Sequence, residues 1–191
     1  MAARHSALDN RDETTFVRST YRGDVQMADC PYRTLMHYKR WATLDLYAVL
    51  SDTLRSMAEP DQGLVLRLLD HVQAVDEIFI HHLERRTHGY SAARSAKLPS
   101  FEVLERTARS SAEWYVAFAD HLSPQGRDEP IMFSFTNGEP MTMTPGQMLL
   151  HVAAHGCYHR GNVGLLLQKN GIAPNQDRLT DFLVLELQNR L

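Results

Sequence analysis

The sequence predicts an all-α fold: a bundle of four long helices, a small β-hairpin between the third and fourth, and a short C-terminal helix. Three observations carry this. Four segments repeat apolar residues at helical spacing over several turns. One short stretch, Ile131 to Met143, alternates apolar and polar residues around Asn137-Gly138, a strong hairpin signal. No internal repeat or low-complexity tract interrupts them, and 191 residues suffice for one real core.

Residues 1–30 are polar and aperiodic and read as an N-terminal arm, leaving 31–191 as the bundle domain. Pro31 suits a first helical turn. From Tyr32 to about Met57 the apolar set Leu35, Met36, Trp41, Leu44, Leu46, Tyr47 and Leu50 marks the first helix, which Glu59-Pro60-Asp61 breaks. The second helix spans about Asp61 to Arg86, with Leu64, Leu66, Leu68, Leu69, Val72, Val75, Ile78, Phe79 and Leu83 as its buried face. His71 lies among them, whereas His81 and His82 fall where the face turns polar. His88 to Ser100 is a loop by composition. Ser100 caps a third helix, Phe101 to about Leu122, with Val103, Leu104, Trp114, Val116 and Phe118 as core candidates; Ser123-Pro124-Gln125-Gly126 ends it. After the hairpin, Thr144-Pro145-Gly146-Gln147 has the residues of a capping box with proline at the first helical position. That fourth helix runs to about Asn170 and stops at Gly171. Leu179 to Leu191 forms the last, short helix.

Composition narrows the function classes. Net charge is −3 with histidines neutral, so no basic field invites nucleic acid. The cluster Arg85, Arg86, Arg94 and Lys97 reads as a solvated surface. No apolar run reaches about 18 residues, so no membrane span is expected. The N-terminus lacks the apolar stretch of a signal peptide. Two cysteines, Cys30 and Cys157, make no disulfide framework, and a reducing cytoplasm is the expected compartment.

Ten histidines are the unusual count, and three of them, His151, His155 and His159, recur every fourth residue on the fourth helix. Residues four apart differ by about 40° in azimuth and about 6 Å in height, so two such imidazoles can converge on one ion. His151 and His159 are about 12 Å apart along the axis and cannot both do so. Either 151/155 or 155/159 is the ligand pair, and spacing does not choose. No glutamate lies between His155 and His159, so the H-E-x-x-H zinc-protease pattern is absent. Cys157 lies about 200° round from His155 and is expected to be a buried, inert thiol. Gly156 and Gly161 beside the pair permit close packing or open space. His71, an imidazole on the most apolar face of the second helix, needs a partner: a backbone carbonyl or a metal.

His71 in the second helix, with His155-Gly156-Cys157-Tyr158-His159-Arg160-Gly161-Asn162 in the fourth, resembles the DinB/YfiT-like superfamily of metal-dependent enzymes. The resemblance extends over roughly Tyr32 to Val184 and includes Tyr38-Lys39-Arg40-Trp41-Ala42, Leu69-Asp70-His71 and the hairpin around Asn137-Gly138. Asn162 stands where the family often has Gln, and Thr43 where it often has Asn. The resemblance implies an up-down-down-up four-helix bundle, usually a homodimer. It implies metal ligands His71, His155 and His159, with His151 left as a neighbouring group. The metal would be zinc or nickel; iron and copper also suit three imidazoles. Characterised relatives include thiol transferases using bacillithiol and an isomerase using mycothiol.

The expected function is therefore transfer of a low-molecular-weight thiol to an electrophilic small-molecule substrate at a divalent metal. Metal-dependent hydrolysis is the alternative reaction. A non-catalytic dimeric metal-binding or stress-response protein is the alternative of a different class. Arg160 is read either as binding a substrate carboxylate or as pairing with an acid at the bundle rim. Asp70, Asp76, Glu77 and His151 are read as surface charges or supporting groups, and none is assigned as a general base.

Overall fold

The computed structural model describes residues 30–189, so the expected N-terminal arm, but for Cys30, and the last two residues lie outside the described part. The chain is mostly helical, with one small two-stranded antiparallel hairpin. The elements are α1 (Pro31–Thr53), α2 (Glu59–Leu83), α3 (Phe101–His121), α4 (Pro124–Asp128), β1 (Ile131–Ser134), β2 (Pro140–Met143), α5 (Pro145–Lys169) and α6 (Leu179–Gln188). Among the described residues no helix is long and apolar enough to cross a membrane.

Local chemistry sets the boundaries. Pro60 does not break a helix but opens one: it sits in the first turn of α2, where its missing N–H costs nothing. Asp61 beside it is buried and accepts from Lys169 Nζ at 2.8 Å and Asn170 Nδ2 at 2.9 Å, tying the start of α2 to the end of α5. Ser123 caps the five-residue α4, an element the sequence reading treats only as a terminator. At α5 the capping box is complete: Gln147 N–H donates to Thr144 Oγ1 at 3.2 Å, and Thr144 N–H donates to Gln147 Oε1 at 2.9 Å. The helix ends on Gly171 at φ +73°, with Ile172 N–H reaching the Leu167 carbonyl at 3.0 Å, a Schellman motif. In the hairpin Ile131 faces Met143 and Ser134 faces Pro140. Its turn is a three-residue loop in which Gly138 alone takes a positive φ, +87°, while the Asn137 side chain accepts from Glu139 N–H at 3.1 Å.

α1 packs on α3 and α5, and α2 packs on the same two helices. The core forms two apolar clusters. In one, Met36 from the start of α1 and Met148 and Val152 from the start of α5 meet Phe79 and Leu83 from the end of α2 and Tyr115 and Ala119 from the end of α3. In the other, Leu50 from the end of α1 and Leu167 from the end of α5 meet Val65 and Leu104 from the starts of α2 and α3. The buried face of α3 is built largely from small residues, Ala108, Ser111, Ala112 and Ala119, around Tyr115. Val103 turns outward, and Trp114 and Phe118 stack on each other half-buried. Leu64 of α2 is likewise exposed. α6 docks through Phe182 alone, against Tyr38 and Trp41 of α1.

Between the two clusters lies a layer of buried polar side chains. Lys39 of α1 donates to Asp76 Oδ2 of α2 at 2.5 Å, and both are buried. Gln73 Nε2 donates to Ser111 Oγ at 2.7 Å. The same level of α2 and α5 carries His71, His155 and His159.

Candidate metal centre

His71 sits between Leu69 of one cluster and Val75 of the other. His155 and His159 sit between Ala153 and Val163 in the same way. Packing α2 against α5 therefore brings the three rings together. Their centroids lie 4.8 Å (71–155), 4.7 Å (71–159) and 4.5 Å (155–159) apart. One nitrogen from each ring falls within 4.8 Å of the others, and no other His, Cys, Asp or Glu among the described residues joins that group. His71 Nε2 and His155 Nε2 are 3.0 Å apart, close to the roughly 3.4 Å between two ligands of a tetrahedral ion with about 2.1 Å bonds.

The tautomer of His71 follows from its other nitrogen. Nδ1–H donates to the Ala93 carbonyl at 2.7 Å, so Nε2 presents a lone pair toward His155. The two readings of His71, carbonyl-bonded core residue and ligand, are thus compatible, because each would use a different ring nitrogen. Ala93 lies in the segment joining α2 to α3, and this segment is pinned by two acids of α2. Ser95 N–H donates to Asp70 Oδ2 at 3.1 Å, and the Tyr90 hydroxyl donates to Glu77. Asp70 and Asp76 are buried, correcting their reading as surface charges.

Two of the three histidines are pushed toward the neutral form. Burial, followed by the nearby His159, His71, His151 and Lys39, pushes His155 down to about 3. Burial and His71 also lower His159. Neutral imidazole is the ligand form. Nδ1 of His155 and Nδ1 of His159 are both buried without a hydrogen-bond partner in the chain. Three convergent imidazoles, two of them depressed in pKa and each of those two with an orphaned ring nitrogen, fit a divalent cation.

The neighbours fall out differently from one another. His151 is exposed, lies 4.6 Å from the Phe79 ring and 5.7 Å from the His155 ring, and contributes no nitrogen to the cluster. Arg160 pairs with an acid, though inside the bundle and not at its rim. It is buried, with Nε donating to Asp177 Oδ2 at 2.7 Å and Nη2 to Oδ1 at 3.2 Å, and it lies over the Tyr38 ring. Tyr38 donates to the same carboxylate, closing the 172–178 connection against α1 and α5. Cys157 is exposed, correcting the expectation of a buried thiol; its position far round the helix from His155 puts it on the outer face. Gly156 earns its place by close approach: a Cβ there would lie 3.0 Å from Arg160 Nη1 and 3.6 Å from Lys39 Cε.

A pocket of about 230 Å³ reaches the cluster. His155 and His151 form one wall, Val75, Ile78 and Phe79 another, and Phe135 and Thr136 of the hairpin a third. The role of the hairpin, the Ala93 carbonyl and the Asp177 partner are not legible from spacing, because each is a long-range contact. Lys39 had a signal: it stands three residues from both Met36 and Ala42, within the apolar stripe of α1.

Comparison with known proteins gives the family. Protein DinB of Bacillus subtilis (strain 168) is 24% identical over 157 residues, covering 77% of this chain and 90% of that protein. No solved structure matches the chain. The DinB family model matches residues 33–191, which contain all three histidines and the elements that converge them, and the chain belongs to the DinB family.

Proposed function

We propose that this chain is a metal-dependent enzyme that holds a divalent ion, zinc or nickel, on His71, His155 and His159 and transfers a small thiol to an electrophilic substrate. The observation that carries the reading is the convergence of three imidazole nitrogens within 4.8 Å, without a fourth His, Cys, Asp or Glu among the described residues. Three protein ligands with a position left over are the arrangement of catalytic rather than structural zinc sites. Such an ion lowers the pKa of a thiol or water bound to it.

The remaining parts of the reading concern this chain's own residues. Ala93 orients His71 through Nδ1, and Asp70 holds Ala93's segment in place. Phe79, Val75 and Phe135 exclude water from one side of the pocket. Supporting topology comes from the two core clusters: the starts of α1 and α5 share a level with the ends of α2 and α3, as an up-down-down-up four-helix bundle requires. α6 leaves Leu183, Val184 and Leu187 exposed, which supports a homodimer, and sedimentation velocity at micromolar concentration tests it. Hydrolysis is the second reading, favoured by the half-buried state of all three histidines, which admits water.

Metal analysis of protein purified without a histidine tag, followed by a screen of thiol cosubstrates against electrophiles with metal-loaded protein, tests the proposal. Thiol-dependent turnover that disappears in His155→Ala supports it. Turnover that needs no thiol selects hydrolysis. Metal without turnover of any substrate class selects the non-catalytic alternative.

A further inference from the structure

A second and larger pocket, about 580 Å³, opens where α2 ends, between the α2–α3 connection and the hairpin. Its floor is apolar: Ile131 is buried, and Phe133 stacks on the ring of His82 with centroids 4.2 Å apart. His82 is only 7% exposed, although the sequence places it where the helix face turns polar. Its Nε2 is buried and has no hydrogen-bond partner in the chain. Its ring meets that of His88 edge-on at 5.2 Å. His88 Nδ1 accepts from Tyr90 N–H at 3.3 Å, which leaves Nε2 as the proton-bearing nitrogen of the neutral ring.

Two guanidinium groups stand at the rim. Arg85 Nη2 donates to Glu129 Oε1 at 2.7 Å, and Arg86 Nε donates to Glu84 Oε2 at 2.8 Å, with Arg86 Nη2 pairing to the same oxygen. Each guanidinium has five N–H donors, so neither is exhausted by its carboxylate. Arg85 is also the one non-glycine residue at positive φ among the described residues, +54°. It occupies the left-handed position that closes α2, with Arg86 N–H reaching the His81 carbonyl at 2.8 Å. Glycine is the unstrained choice there. A side chain kept at a strained position points to a use for that side chain.

The pocket is not isolated from the metal centre. Phe135 and Thr136 line both it and the pocket that reaches His155. An elongated molecule lying along the hairpin would therefore touch both. We propose that the Arg85/Arg86 pocket binds the anionic end, a carboxylate or a phosphate, of a flat apolar substrate whose other end reaches the three-histidine site. This rests on the metalloenzyme reading for the reacting end only. Two charge-assisted donors at the rim supply recognition of the anion, and the Phe133 and His82 faces accept the apolar body.

The test titrates the full, metal-free chain with benzoate, phenyl phosphate and, as the uncharged control, benzyl alcohol, followed by amide shifts in two-dimensional NMR. The expected result is shifts confined to residues 82–90 and 131–138, with at least one anion binding at least tenfold more tightly than benzyl alcohol. The tighter anion identifies the head group. Arg86→Ala weakens anion binding tenfold or more. Arg85→Gly weakens it comparably while raising the melting temperature, because the strain is relieved; a merely structural arginine would give the second effect without the first. Benzyl alcohol binding as tightly as either anion, or anion binding undiminished in both arginine variants, overturns the proposal. The metal content of the same preparation, measured before the ion is stripped, separates the two readings. Metal retention without anion binding defeats only this inference, and anion binding without metal defeats only the metalloenzyme reading.

Discussion

His155 Nε2 stands 3.0 Å from His71 Nε2, although 84 positions separate the two residues in the chain. The contact has a direction because the Ala93 carbonyl takes the proton-bearing side of His71. The neutral His71 ring is therefore predicted to be the Nδ1–H tautomer. Long-range proton–nitrogen correlation of the imidazoles checks this. A His71 ring protonated at Nε2 would contradict the assignment.

The segment that carries the Ala93 carbonyl is held by Asp70, which accepts from Ser95 N–H at 3.1 Å. Asp70→Ala is expected to loosen the 84–100 segment and weaken metal binding, by up to about tenfold, the lower end of what losing a direct hydrogen bond to a ligand costs. Competition with a chromogenic chelator gives the number. Unchanged affinity would mean that the segment does not orient His71.

Lys39 and Asp76 are both nearly inaccessible, at 2% and 4% exposure, and are paired at 2.5 Å. Burial raises Asp76 while Lys39 opposes it. Lys39→Met leaves the carboxylate without its cation and is expected to cost about 3 kcal/mol in urea unfolding, whereas Lys39→Met combined with Asp76→Leu recovers most of it. A single variant within about 1 kcal/mol of wild type, the scale of an exposed pair, would show the pair to be energetically inert.

The helices and the hairpin were legible in the sequence because they depend on local signals. The capping box at Thr144, the stop at Gly171 and the alternation from Ile131 to Met143 are each written within a few residues. Spacing alone narrowed the ligands to one of two pairs on α5. His71 entered through its place on an apolar face and through family resemblance, and the helix packing brings it to His155 and His159. Pro60 carries an ambiguous local signal, because proline ends one helix as readily as it fits the first turn of the next. Leu64 and Val103 were misplaced because apolar residues flank the true stripe, and on α3 that stripe is made of alanines that carry little hydrophobic signal. Asp177, Ala93 and the pocket wall from the hairpin are tertiary contacts, and no local pattern encodes them.

His82 gives the fold a pH dependence of known sign. Burial, then His88 and His81, lowers it from 6.5 to about 4. The unfolded chain takes up this proton first as pH falls, so stability is full above about 6.5 and declines toward 4. His82→Phe keeps the stacking surface and removes the titration. Its urea midpoint should therefore fall less steeply than that of the wild type between pH 6.5 and 4. Parallel profiles would show that His82 is not held neutral.

The most direct measurement is the divalent metal content of the untagged protein beside His71→Ala, His155→Ala and His159→Ala, by mass spectrometry of the elements after gel filtration. Close to one zinc or nickel ion per wild-type chain is expected, with a large loss in each variant. A wild type carrying no more metal than the variants would contradict the three-histidine site, as would metal that survives all three substitutions.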